Sequence, residues 1–175
     1  MNVTRKGWFV PVLAAAAMCW CSTLAAQDND APEGNQTTLA KALVGARVSL
    51  ERGLAASASH GQAISAKFEM EEGKLQLSVY TLKEGKYFEV IVDHNSGKVV
   101  KAAPITEDED YTAARSQSAA MAKAKGSLQA AVEKALRDNA GYHAVSITPS
   151  LKDGRVVADV TLAKGEETKT VSVSL

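Results

Sequence analysis

A chain of 175 residues suits one core of ordinary size or two very small ones. Its 20 basic and 20 acidic residues cancel, so no basic field exists to hold nucleic acid or an anionic membrane surface. Two cysteines and three histidines offer little for a disulfide framework or a metal site.

The N-terminus sets the compartment. Arg5 and Lys6 precede an apolar run from Trp8 to Ala17, and Thr23-Leu24-Ala25-Ala26 supplies small residues before polar Gln27-Asp28-Asn29-Asp30. This pattern predicts a secretory signal peptide over residues 1–26, cleaved near Ala26. The apolar run is shorter than the roughly 20 residues a spanning helix needs. Lipid attachment at Cys19 or Cys21 is disfavoured, because Met18 and Trp20 stand where small residues belong. Cleavage removes both cysteines together with Arg5 and Lys6, leaving 18 basic against 20 acidic residues and a net charge of −2. The expected location is periplasmic or secreted, with no membrane span after cleavage.

Residues 27–37 are polar, with Pro32 and Gly34, and predict a disordered leader. From Leu39, apolar residues recur at helical spacing as Leu43, Ala46, Leu50 and Leu54. Gly45 and Gly53 weaken that helix, and Ser49 offers an N-cap that restarts it after a bend. Three runs of strand-type alternation follow His60-Gly61: Ile64 to Met70, Leu75 to Val79, and Phe88 to Val92. Glu72-Gly73 and Glu84-Gly85 separate them, as in an antiparallel meander with one buried face. Asp93 to Gly97 forms a turn before a short strand at Lys98 to Lys101.

Residues 104–115, with Pro104 and acidic Glu107 to Asp110, predict a linker or the start of a helix. Ser127 then caps a cleaner helix with an apolar stripe of Leu128, Ala131, Val132, Ala135 and Leu136. Strands follow at Ala144 to Thr148, Val156 to Leu162 and Lys169 to Leu175. This second set repeats the first. Ser49-Leu50 returns as Ser127-Leu128 at an offset of 78 residues, and Gly73-Lys74 as Gly154-Arg155 at 81. The predicted fold is α+β: two tandem units (38–103 and 116–175), each a helix plus an antiparallel meander, with the helices packed on one sheet face.

The first unit resembles a PepSY domain. The likeness lies in Val48-Ser49-Leu50-Glu51, Gly61, Ala66, Glu71-Glu72-Gly73-Lys74 and the run from Tyr87 to Val100. In that run, Val90-Ile91-Val92-Asp93 and Ser96-Gly97-Lys98-Val99 follow the pattern that closes such domains. The second unit carries a degenerate form without the closing aspartate-glycine turn. The resemblance implies a helix packed on an antiparallel sheet in an exported protein, without catalytic residues, that inhibits or regulates a secreted or envelope protease.

No residue pattern points to an enzyme or a cofactor. His60, His94 and His143 are not spaced as metal ligands, and Glu71-Glu72, Glu84 and Glu166-Glu167 fall at solvated hairpin turns. Asp93 and Gly97 read as turn formers; calcium at Asp93, Asn95 and Ser96 lacks enough oxygen ligands. Alternation places Tyr80, Tyr87 and Ile91 opposite buried Val79, Phe88 and Val90, which makes them the predicted anchors for a protein partner. The edge of the strand ending at Leu175 offers a second route. A periplasmic sensor or binding protein for a small ligand or metal ion is the alternative function, and the sequence leaves the oligomeric state open.

Overall fold

In the computed structural model, residues 33–106 and 108–175 are described, and they fall within one unit, Ala31–Leu175. Two helices, α1 (Glu33–Leu43) and α2 (Leu50–Ala56), lead through a 3-10 turn at Ser57–His60 into β1 (Gln62–Glu71), β2 (Lys74–Lys83), β3 (Lys86–Val92) and β4 (Val99–Ile105). Then α3 (Asp108–Met121) and α4 (Leu128–Asp138) lead into β5 (His143–Lys152), β6 (Arg155–Lys164) and β7 (Glu167–Ser174). The signal-peptide segment and residues 27–32 lie outside the described residues.

Local chemistry accounts for most of these elements. Ser49 and Ser127 both cap helices: each hydroxyl accepts from an amide three residues on, Arg52 at 3.4 Å and Ala130 at 3.1 Å. The hairpins β1–β2, β2–β3 and β5–β6 all close on a two-residue acid-glycine loop with both φ positive: Glu72-Gly73, Glu84-Gly85 and Asp153-Gly154. That is the type I′ geometry whose twist matches the flanking strands. Each repeat also kinks its first strand at an equivalent place, between Ala63 and Ser65 and between Ala144 and Ser146.

The expectation of two separate helix-on-meander units is overturned. All seven strands form one sheet in the order β4-β3-β2-β1-β5-β6-β7. The two repeats join because β1 and β5, which would each be an exposed edge in an isolated unit, pair antiparallel through Ala66–Ile147 and Lys67–Ser146. Ile147 is the residue equivalent to Ala66 at the strand offset of 81. The joint therefore lies on a local two-fold axis, where a residue meets its own counterpart.

The expectation that helices cover one face is also corrected. Leu77, Val79, Val90, Ile147, Val160 and Leu162 face α2 and α4 and are fully buried. The opposite face carries Ser65 and Tyr80, and α3 lies there, bonded to both through Gln117 and Asp110. Residues 104–115 are thus no linker; they hold the end of β4 and the first half of α3. Likewise 33–37, expected in the leader, belong to α1. The helical spacing from Leu39 to Leu54 runs through two helices, α1 ending at Leu43 and α2 restarting after the Ser49 cap, as the expected bend allows.

Gly53 gains a reason here. A Cβ at this position would stand 2.5 Å from Leu77 Cδ2, so its absence lets α2 approach the sheet. In α4 the fully buried stripe is Leu128, Ala131, Val132 and Ala135, and Leu136 is only half-buried. No helix among the described residues is long and apolar enough to cross a membrane.

Candidate functional site

The predicted aromatic face is not open. Tyr80 is only 5% exposed: α3 covers it, and its hydroxyl donates to Asp110 Oδ1 at 2.6 Å. Burial and then this carboxylate push its hydroxyl well above the ordinary tyrosine value of 10.0. Tyr87 packs edge-on against Tyr111 of α3, ring centroids 5.4 Å apart, and Ile91 is half-buried. Ser65 Oγ donates to Gln117 Oε1 at 2.7 Å, and neighbouring Ser78 Oγ donates to Glu69 Oε1 at 2.8 Å. The three residues singled out as anchors share one face, but that face belongs to α3. Alternation located the face and could not show what covers it.

The Asp93–Gly97 turn is an internal support. Asp93 Oδ1 accepts from the Ser96 amide at 2.7 Å and from the Ser96 hydroxyl at 2.6 Å. Gly97 takes a φ of 72°, with Arg52 Nε lying where a Cβ would stand. The His94 carbonyl accepts the amides of Arg47 and Val48 at 2.9 and 3.0 Å. The turn thus fixes the segment between α1 and α2. Hydrogen bonds from the Ser96 hydroxyl, then its amide, hold the Asp93 carboxyl below its ordinary value of 3.8.

A depressed carboxyl adds stability above its unfolded value and loses it as pH falls through the folded one. The wild type should therefore lose melting temperature on acidification below pH 3.8, and Asp93→Ala should show a smaller acid loss. Thermal melts between neutral and strongly acidic pH measure this; parallel acid limbs would refute the role.

The segment held by that turn forms one wall of a groove of about 540 Å³. Leu43 and Val44 at the end of α1, and Arg47 and Ser49 before α2, line one side. Leu136 of α4, Glu51 of α2, His143, Phe68, Ala144 and Ala163 are also in the lining. Val44 is 84% exposed at the rim. The space lies within the usual range for binding clefts, and its lining mixes apolar side chains with Arg47, Ser49, Glu51 and His143. Sequence reading placed none of these residues in a site. The available signal was Val44, an apolar residue directly after Leu43 and outside the helical spacing.

The remaining candidates stay apart. His60, His94 and His143 occupy three different junctions, and no group of three or more His, Cys, Asp or Glu able to hold a metal occurs among the described residues. The Asp93 carboxylate is turned onto Ser96. Glu71, Glu72, Glu84, Glu166 and Glu167 are exposed at hairpin ends. The edge expected near Leu175 is present: β7 is an outer strand of the sheet.

No protein-family model matches the chain, and no curated protein matches it. Among solved structures it is similar to the crystal structure of a "putative lipoprotein" from Clostridium difficile 630, at 14% identity. That match covers 67% of this chain and 78% of the other, with a TM-score of 0.38. A likeness of that size carries no functional argument.

Proposed function

We propose that this protein is an exported, non-enzymatic binding module that seats an apolar segment of a partner protein in the groove between α1, α2 and α4. The observation that carries the reading is Val44, a large aliphatic side chain left in solvent at the rim of a cleft of mixed apolar and polar lining. Exposed apolar groups beside a cleft mark contact surfaces. Arg47 and His143 line the same groove and make no ion pair among the described residues; with Glu51 also in the lining, they would meet a carboxylate on the partner. The N-terminal pattern supports export, to the periplasm or the medium. The PepSY resemblance supports a secreted or envelope protease as the partner, regulated by occupancy of its own surface rather than by chemistry on this chain.

Val44→Asp tests the groove. A surface change of this kind should alter stability by no more than about 0.5 kcal/mol, yet a charge at the rim should release the partner. Val100, 64% exposed on β4, is the control, and Val100→Asp should release nothing. Cross-linking in the exported fraction, followed by activity assays of any protease recovered, gives the readout. Equal partner yield from Val44→Asp and the parent sinks the proposal.

A further inference from the structure

The two edges of the sheet are built differently. The β4 edge is irregular: its ladder with β3 shifts register between Ile91 and Val92, and β4 carries Lys101 and Pro104. Bulges, lysines and prolines are the devices that stop an edge from accepting another strand. The β7 edge has none but Lys169, and its ladder with β6 is unbroken from Lys164–Glu167 to Val157–Ser174.

The hydrogen-bond phase of β7 is fixed. Leu175 donates its amide to the Val156 carbonyl at 3.0 Å, and bonded pairs alternate along an antiparallel ladder. The odd-numbered residues of β7 therefore bond inward to β6. Thr168, Thr170, Ser172 and Ser174 turn their N–H and C=O groups outward, where no described strand meets them.

We infer that a second copy of this chain pairs on that edge, β7 to β7 and antiparallel, about a two-fold axis at Val171. This register satisfies every outward group of β7: Thr168 exchanges bonds with Ser174 of the second copy, and Thr170 with Ser172. It is also self-complementary in side chains. Hydroxyls meet hydroxyls on the face left open by α3, Val171 meets Val171 on the helix face, and Lys169 meets aliphatic Val173. No like charges stand opposite one another, which is the arrangement favourable cross-strand pairs require. The Lys169 ammonium lies 4.0 Å from the Tyr142 ring centroid, on its own subunit. The 18 basic and 20 acidic residues left after cleavage give a net charge of −2, too small to add much long-range repulsion. The result is one continuous sheet through two subunits, extending the same antiparallel order that joins the repeats at β1 and β5.

Sedimentation velocity across a concentration series, on the chain as its cell processes it, tests this. The parent should shift from monomer to dimer. Ser172→Pro removes an outward N–H and no backbone bond to β6, and it gives up one exposed side-chain bond, from the Ser172 hydroxyl to Asp159, so the dimer should disappear while the fold remains. Should that variant unfold, Thr168→Lys with Ser174→Lys is the second probe: both positions are exposed, and the change sets lysine against lysine across the axis. It too should be monomeric. The inference is overturned by a parent that stays monomeric throughout, by a dimer that survives in the folded variants, or by an edge whose blockage frees a different protein.

Discussion

Ile147→Asp is expected to leave no cooperatively folded protein. Ile147 is 0% exposed and pairs with Ala66 at the centre of the sheet. An unpaired charge there has no partner and no water, at a cost of several kcal/mol or more. Native stability of roughly 5–15 kcal/mol leaves little to absorb it. The milder Ile147→Ala should cost about 2–5 kcal/mol and should lower one transition, because the repeats share a sheet and a core. Calorimetry decides. Two transitions, with one at the parent's temperature, would mean that the repeats fold independently and that the β1–β5 joint adds little.

The second large effect is expected at Tyr80. Changing Tyr80→Ser together with Tyr87→Ser removes a buried ring, its hydrogen bond to Asp110 and the contact with Tyr111. Losses for large buried rings run to about 3–5 kcal/mol, so a large fall in melting temperature is expected. Tyr80→Phe isolates the hydroxyl, worth about 1.5–3 kcal/mol when its acceptor is charged. The pH dependence has a definite sign. The folded state holds the Tyr80 hydroxyl neutral above its ordinary value of 10.0, so the associated stability is present below that pH and declines above it. Tyr80→Phe should flatten this alkaline limb. A double variant that melts with the parent would show that α3 does not rest on the tyrosines.

The reading from sequence succeeded where the signal is local. Period-two alternation located the strands of both repeats, acid-glycine loops separated those of the first, and Ser49 and Ser127 marked two helix starts through their capping hydroxyls. It failed where structure depends on what one element meets. α3 turns a weakly apolar surface to the sheet, with Ala114, Ala120 and Met121 buried, and its polar Asp110 and Gln117 find buried polar partners. A hydrophobic pattern gives such a helix little weight. Tyr80 therefore looked exposed although its own strand was placed correctly. The fusion of two meanders into one sheet rests on backbone pairing between β1 and β5, which side-chain alternation does not encode. The groove was hidden for a similar reason, since its walls come from α1, α4 and the start of β5, and distant segments meet there only after folding. Asp93 and Gly97 were correctly read as turn formers. Their work in holding Arg47 and Val48 through the His94 carbonyl follows from tertiary contact alone.

The two-fold joint has a consequence for how this sheet is assembled. Two separate copies of one repeat, meeting strand to strand, would lose translational and rotational freedom on every encounter, and their sheet would fall apart on dilution. Here the tether is short: α3 begins at Asp108, soon after β4 ends at Ile105. A tether of this kind keeps each half at an effective concentration on the order of millimolar around the other. Two register pairs, Ala66–Ile147 and Lys67–Ser146, can then hold a joint that free halves would make only weakly. Covalent connection also lets the halves stop being identical. An axis through two equal residues would face alanine with alanine or isoleucine with isoleucine, whereas this chain sets one small side chain against one large one and so fills the space between them without crowding either repeat.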